Sequence, residues 1–466
     1  MRHERRPLSI DLRLLGFCSL LLEPALGSQH RTGKRSAVAV YEVFAMSLFA
    51  LLSVLVCLAA AFSLITHRFL RLPRTVGVML LSLGGSVLVA LIGRAIPSLK
   101  TDAGALVAHI NFSSVVLHAL LAFLLFAGAL QLNLGALRRQ RLPVLALAIL
   151  GTGLSTLLIA GMLRGVLELT GLGMSWMGCL LFGALISPTD PIAVLEMMRR
   201  VGAPAGLEAQ LNGESLFNDG VGAVLFLTLY ESSSHGTRLS LSTFTWQLLI
   251  KSGGGIGLGL LLGWIVYRLL RTVDSYRVEE MLTLALAMGG YALADALRLS
   301  APLEVVAAGL IAGGRARNFA MSVVTRDHVD RFWELLDDML NVILFLMVGL
   351  ELLVMPWNPR YIYAGLLAIP VVLAARWLSV QASLLVVRPW HRPVRGAVTV
   401  LTWGGLRGAL AVALALSLAT QGHAYDRIIA ITYVVVIFSI TTQGLTMSRL
   451  LRRLGFASDD RAEASP

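Results

Sequence analysis

Long apolar stretches separated by short basic or polar ones run along almost all of this 466-residue chain. A membrane-crossing helix needs about 20 predominantly apolar residues. The pattern predicts thirteen spans, at about 47–66, 75–93, 109–131, 143–163, 175–197, 212–230, 243–268, 279–297, 302–314, 334–355, 361–386, 396–418 and 425–448. The ninth is the shortest. The expected fold is an all-α membrane protein whose transmembrane domain covers 46–452, with a tail at 1–45 and a short cytoplasmic tail at 453–466. Spans one to six (47–231) and eight to thirteen (279–448) enter the membrane from opposite sides, with 243–268 as a linking helix. Inverted halves of this kind are a transporter plan in which two discontinuous helices cross near the midplane.

The fifth span of each half carries a matching interruption. In the first half it reads Ser187-Pro188-Thr189-Asp190-Pro191, where two prolines remove backbone donors and push Ser187 and Asp190 out of helical geometry. In the second it reads Gly404-Gly405-Leu406-Arg407-Gly408, where three glycines loosen the helix around a charge. Opened backbone at membrane depth is tolerated only where it lines a cavity or is buried in protein.

Composition agrees with a lipid setting: 56% of residues are hydrophobic and 14% charged, too few to cover a soluble surface. The formal net charge of +12 would suggest nucleic acid in a soluble protein. Here the basic residues fall in loops instead, which is the membrane reading of a basic chain and predicts no nucleic-acid partner. Loops and span ends on the side holding Arg74, Arg138, Arg199, Arg268, Arg331, Arg388 and Arg452 carry 22 Lys or Arg, against eight on the other. The positive side is cytoplasmic, so the first span is expected to begin outside and the chain to end in the cytoplasm. The basic tail at 1–45 violates this rule. It is read as a mis-assigned start upstream of Met46 in preference to a signal-like segment, since Glu23 and Pro24 spoil its apolar run. Cys18, Cys57 and Cys179 form no pairing or metal-binding pattern.

Charges inside spans narrow the function. An Asp, Lys or Arg at a helix centre costs about 2.5–3.5 kcal/mol, so Asp190, Glu214, Asp219 and Arg407 require a function or a partner. An Asn218-Asp219-Gly220 turn outside the membrane would leave only Val221–Tyr230, half of a span. The helix is therefore expected to start near Asn212, with Asp219 well inside. Ser215 and Asp219 then share a face, and Glu214 and Asn218 the neighbouring one. A carboxylate with a hydroxyl suits a hard cation, which prefers oxygen ligands. Thr189 and carbonyls of the opened fifth span are candidates to complete the set, and Asp190 is a helper. Desolvation favours the neutral form of a carboxylate, so Asp219 is expected to hold either a proton or a transported cation, never both. Glu214 and Arg407 are expected to form an ion pair locking the two halves. With Asn218 neutral, one cation would displace one proton.

Four blocks carry a resemblance: Ser187-Pro-Thr-Asp-Pro-Ile-Ala-Val, Glu214-Ser-Leu-Phe-Asn-Asp-Gly, Asn341-Val-Ile-Leu-Phe-Leu-Met-Val-Gly-Leu-Glu and Trp403-Gly-Gly-Leu-Arg-Gly-Ala. Over about 46–452 the chain resembles bacterial sodium/proton antiporters of the monovalent cation:proton antiporter family one, which are related to animal sodium/proton exchangers. The resemblance implies that Asp219 is the essential ion-binding aspartate, with Thr189, Asp190 and Ser215 as ligands or neighbours. It also implies that Asn218 is the neutral partner typical of electroneutral members and that Glu214 and Arg407 are the inter-helix pair. A homodimer in the bacterial inner membrane, with spans four to six and eleven to thirteen moving against the rest, is part of the same expectation. One departure is visible: many relatives carry an acidic residue where this chain has Ala127.

Other classes fit less well. His109 and His118 are nine residues apart, on roughly opposite sides of a helix. No HExxH, GxSxG or phosphate-binding loop occurs, so no enzyme and no cofactor is expected. A channel would share the buried carboxylates, but inverted halves with broken helices favour alternating access. Potassium/proton exchange is the nearest alternative. The sequon Asn111-Phe112-Ser113 is assigned no role.

Overall fold

A computed structural model describes residues 52–456, apart from 71, 73, 94–114, 235–239, 318–319, 354, 356–357, 392–393, 395 and 420–424. The tail at 1–45, His109 and the Asn111 sequon lie outside the described residues, as does most of the C-terminal tail. From Val54 onward the chain forms one unit.

The described residues are helical, and no β-strand occurs among them. In chain order the principal helices are α1 (Leu52–Leu70), α2 (Arg74–Ile92), α3 (Val115–Gln131) and α4 (Arg141–Leu169). Next come α5 (Trp176–Ile186), α6 (Ile192–Val201), α7 (Ala205–Ser234), α8 (Leu241–Leu270), α9 (Tyr276–Ala296) and α10 (Ala301–Ile311). The chain continues through α11 (Val323–Leu350), α12 (Pro359–Val387), α13 (Ala397–Trp403) and α14 (Ala409–Ser417). It closes with α15 (Asp426–Arg453). Six of these helices are long and apolar enough to cross a membrane, among them α1, α2, α4, α12 and α15; α3, α5 and α10 are shorter apolar helices.

Two apolar cores hold the unit together. In one, Phe182 and Ile186 of α5, Val400 and Leu401 of α13, Val412 and Leu414 of α14 and Ile431 and Val435 of α15 pack on one another. In the other, Phe126 and Leu130 of α3 meet Tyr291 of α9, Val305 of α10 and Trp333 of α11. Both broken helices belong to the first core, so the interruptions are set within packed protein.

α7 begins seven residues earlier than the sequence pattern predicts. Gly202 closes α6 in the left-handed conformation at φ 72°, and Pro204 follows. The Pro204 carbonyl accepts the first turn's bonds from Leu207 and Glu208, at 2.9 and 3.2 Å. A left-handed glycine and a proline one or two residues on is a common helix-end arrangement. The polar residues before Asn212 hide this start from a search for apolar runs. The correction moves Asp219 to the middle of a helix of 30 residues.

Candidate ion-binding site

The site grows out of two interruptions that meet. α5 ends at Ile186 and α6 starts at Ile192; α13 ends at Trp403 and α14 starts at Ala409. Between them Asp190 and Leu406 form an isolated antiparallel bridge, in which the Asp190 N–H donates to the Leu406 carbonyl at 2.8 Å. Two helix C-termini, α5 and α13, and two N-termini, α6 and α14, thus converge. A helix end carries about half an elementary charge, positive at the N-terminus and negative at the C-terminus.

An arginine meets each of the two C-terminal ends. The Arg407 guanidinium donates through one nitrogen to the Ser187 and Pro188 carbonyls, at 2.5 and 3.0 Å. The Arg376 guanidinium, from α12, donates to the Leu401 carbonyl through Nε and a terminal nitrogen, at 3.3 and 3.0 Å. Gln443 donates to the Trp403 carbonyl at 3.0 Å and accepts from Ser439, whose Oγ in turn receives the Arg407 N–H at 2.9 Å. Carbonyls freed by the breaks therefore have donors, as buried backbone groups require.

The predicted Glu214–Arg407 pair is corrected here: the ion pair of Glu214 is with Arg376. Exposures of 0% for Glu214 and 3% for Arg376 make it a fully buried pair. Arg407 is equally buried, but one of its terminal nitrogens donates to the Ser187 and Pro188 carbonyls and the other has no hydrogen-bond partner among the described residues. Arg376 stands alone in an apolar run with no surrounding motif, so a search for motifs does not reach it. Its signal was the cost of a lone charge at span depth, which demands a buried carboxylate.

A clasp ties α7 to the first break. Asn218 Nδ2 donates to Thr189 Oγ1 at 2.9 Å, and Asn218 Oδ1 accepts the Thr189 N–H at 3.3 Å. Ser215 Oγ donates to the Thr189 carbonyl. At the other end of the break, Asp190 Oδ1 accepts the Ile192 N–H at 3.1 Å, capping α6. Its side chain also occupies the space a Cβ on Gly408 would fill, and a Cβ on Gly405 would come within 2.8 Å of Arg376 Nε. These glycines serve close approach as well as helix opening. Likewise Pro188 lies where a side chain on Gly222 of α7 would stand.

Thr189, Asp190, Pro191, Ser215 and Asp219 line one cavity of about 600 Å³, which also reaches Arg74, Arg199 and Arg200. Asn218 is not on its wall; it stands behind, fully buried, holding Thr189. Asp219 is half-buried, and no hydrogen bond or ion pair engages its carboxylate among the described residues. α3 contributes Leu124, Leu125, Gly128 and Gln131 to the wall but not Ala127, which is buried in the second core. That helix supplies no carboxylate. Chemically, the part of the wall at the mouth of the helix break is oxygen-rich, with the acids Asp190 and Asp219 and the hydroxyls of Thr189 and Ser215.

Comparison with known proteins gives the family and the fold. The family model for the transmembrane sodium/hydrogen exchanger matches residues 37–453. The chain is similar to the Na(+)/H(+) antiporter NhaP of Pseudomonas aeruginosa, 41% identical over 87% of this chain and 96% of that protein. It is also similar to the Na(+)/H(+) antiporter NhaH of Halobacillus aidingensis, 33% identical over 74% of this chain and 84% of that one. Among solved structures, the sodium proton antiporter MjNhaP1 of Methanocaldococcus jannaschii shares the fold, with a TM-score of 0.69 at 21% identity, over 88% of this chain and 99% of that one.

Proposed function

The chain belongs to the sodium/hydrogen exchanger family, and from that premise we propose that it exchanges sodium for protons across a bacterial inner membrane by competition at Asp219. The observation that carries this reading is the Asp219 carboxylate: it stands at the middle of α7, faces a cavity and is engaged by no other group among the described residues. An intramembrane acid in that position marks an ion pathway. Sodium would be held by Asp219, the Ser215 and Thr189 oxygens and Asp190, since a hard cation takes oxygen ligands. Asn218 acts as a positioning residue through Thr189. A proton on Asp219 removes the charge that attracts the cation, so the two ligands alternate. With Asn218 a neutral amide beside it and Asp190 bonded to the start of α6, Asp219 alone carries the exchanged proton, one per cation.

The architecture that suits this chemistry is two inverted six-helix repeats, thirteen crossings in all when α5 with α6 and α13 with α14 each count as one. α4–α7 and α12–α15 would move as a body that exposes Asp219 alternately to each side. The cavity reaching Arg74, Arg199 and Arg200 would then open to the cytoplasm, with the C-terminus on that side. The apolar outer face of α8, with Trp246, Leu249 and Trp264 exposed, suits lipid or a second copy in a homodimer.

The test is reconstitution in liposomes with an imposed pH gradient and clamped membrane potential. Sodium or lithium should collapse the gradient at a rate indifferent to potential, and Asp219→Asn should abolish the effect. Collapse by potassium alone would replace the cation; unchanged activity in Asp219→Asn would remove the site.

A further inference from the structure

The α11 wall of the cavity carries polar groups that the exchange site leaves unused. Asp337 and Asn341 are four residues apart, hence on one helix face, and both line the same cavity as Asp219. Asn341 Nδ2 donates to Asp337 Oδ1 at 3.1 Å. This bond fixes the amide orientation, because only the nitrogen end can face a carboxylate oxygen. The amide oxygen is then the free end. Asn341 is 2% exposed, and its Oδ1 has no hydrogen-bond partner among the described residues. A buried acceptor left without a donor is unfavourable, and such groups in native structures call for an explanation.

The neighbouring charges do not supply one. Asp338, also on the wall, is engaged at the rim by Arg74 at 3.1 Å, both side chains being exposed. No Lys or Arg pairs with Asp337 among the described residues, although it lies half-buried, and a buried acid without a counter-charge is costly. A carboxylate without a counter-charge and an amide oxygen without a donor, held together by one bond, lack the same thing. A small cation would satisfy both, whereas water would leave the charge uncompensated.

We propose that Asp337 and Asn341 form a second site for a monovalent cation, a waypoint in the vestibule between the Arg74–Asp338 rim and Asp219. The proposal rests on the exchange reading for its direction of travel: an ion from the arginine-rich side is held at α11 before it reaches the helix break. Asp337 raises the cation concentration near Asp219 without joining the proton competition there.

The experiment locates thallous ion, a heavy monovalent probe, by anomalous scattering in crystals of the wild type and of Asp219→Asn. Density between Asp337 and Asn341 in both, with density at Asp219 only in the wild type, is the expected result. Density at Asp219 alone would overturn the waypoint and leave exchange intact. Density at α11 with none at Asp219 in the wild type would overturn the exchange site and leave the waypoint. In liposomes, Asp337→Asn and, separately, Asn341→Ala should raise the half-saturating sodium concentration about five- to tenfold when sodium is offered on the Arg74 side, in keeping with the effect of charged clefts on local counter-ion concentration. The same variants should leave it unchanged when sodium is offered on the opposite side. An equal shift from both sides, or none from the Arg74 side, would contradict a waypoint.

Discussion

Arg376 and Arg407 lie close together, yet the structure gives them different tasks. Arg376 neutralises Glu214 and also serves the Leu401 carbonyl, whereas Arg407 serves the carbonyls of Ser187 and Pro188. Removing one partner of a buried pair leaves an uncompensated charge and costs about 3–5 kcal/mol. Glu214→Gln and Arg376→Met should therefore each lower the melting temperature in detergent strongly, and the double variant should fall by much less than the sum. The corresponding cycle between Glu214 and Arg407 should show the smaller coupling. Equal coupling in the two cycles would restore the pairing expected from sequence. That expectation went wrong for a physical reason. Glu214 and Arg407 each sit in a dense motif, but pairing is decided by which helices lie side by side, and α12 offers a lone arginine without local pattern.

At the scale of helices, much was legible. Paired prolines at Pro188 and Pro191 and the glycines around Arg407 mark where α5 gives way to α6 and α13 to α14, because proline and glycine act through local backbone chemistry. The apolar run at 143–163 falls inside α4, and that at 361–386 inside α12. What stayed hidden depends on contact. Nothing in the sequence said that Asp190 would bridge to Leu406, that Gly408 is small because Asp190 presses on it, or that Asn218 would face Thr189 and not the cavity. A substitution separates opening from approach. Gly408→Ala should keep the helix break and a monodisperse, folded protein, but displace Asp190 and reduce cation-driven gradient collapse by at least about tenfold, a displacement of the order of 1 Å at a site being enough for a larger loss. Gly253→Ala, on α8 where an added Cβ meets no neighbour within 4 Å, should transport within about twofold of the wild type, since away from the site only helix propensity changes. Equal activity in both would show that the close packing at Asp190 has no part in transport.

For the whole molecule, the proposed exchange rests on one acid, Asp219, shared by two ions. If one proton and one cation compete, linkage requires the half-saturating sodium concentration to rise as pH falls, approaching about tenfold per pH unit on the acid side, and to level off when Asp219 is deprotonated. Initial rates of gradient collapse over a range of pH check this, and a flat dependence would contradict competition. The match of 41% over nearly all of the Pseudomonas aeruginosa antiporter places the chain among exchangers, but it leaves the shared acid to be tested on this chain. The most direct measurement is proton release on cation binding. Sodium is added to the purified, weakly buffered protein in detergent, and the protons set free are titrated. The account predicts release by the wild type, rising to one proton per chain when the starting pH leaves Asp219 protonated, and none by Asp219→Asn. Release that persists unchanged in Asp219→Asn, or sodium binding to the wild type with no proton set free, would contradict it.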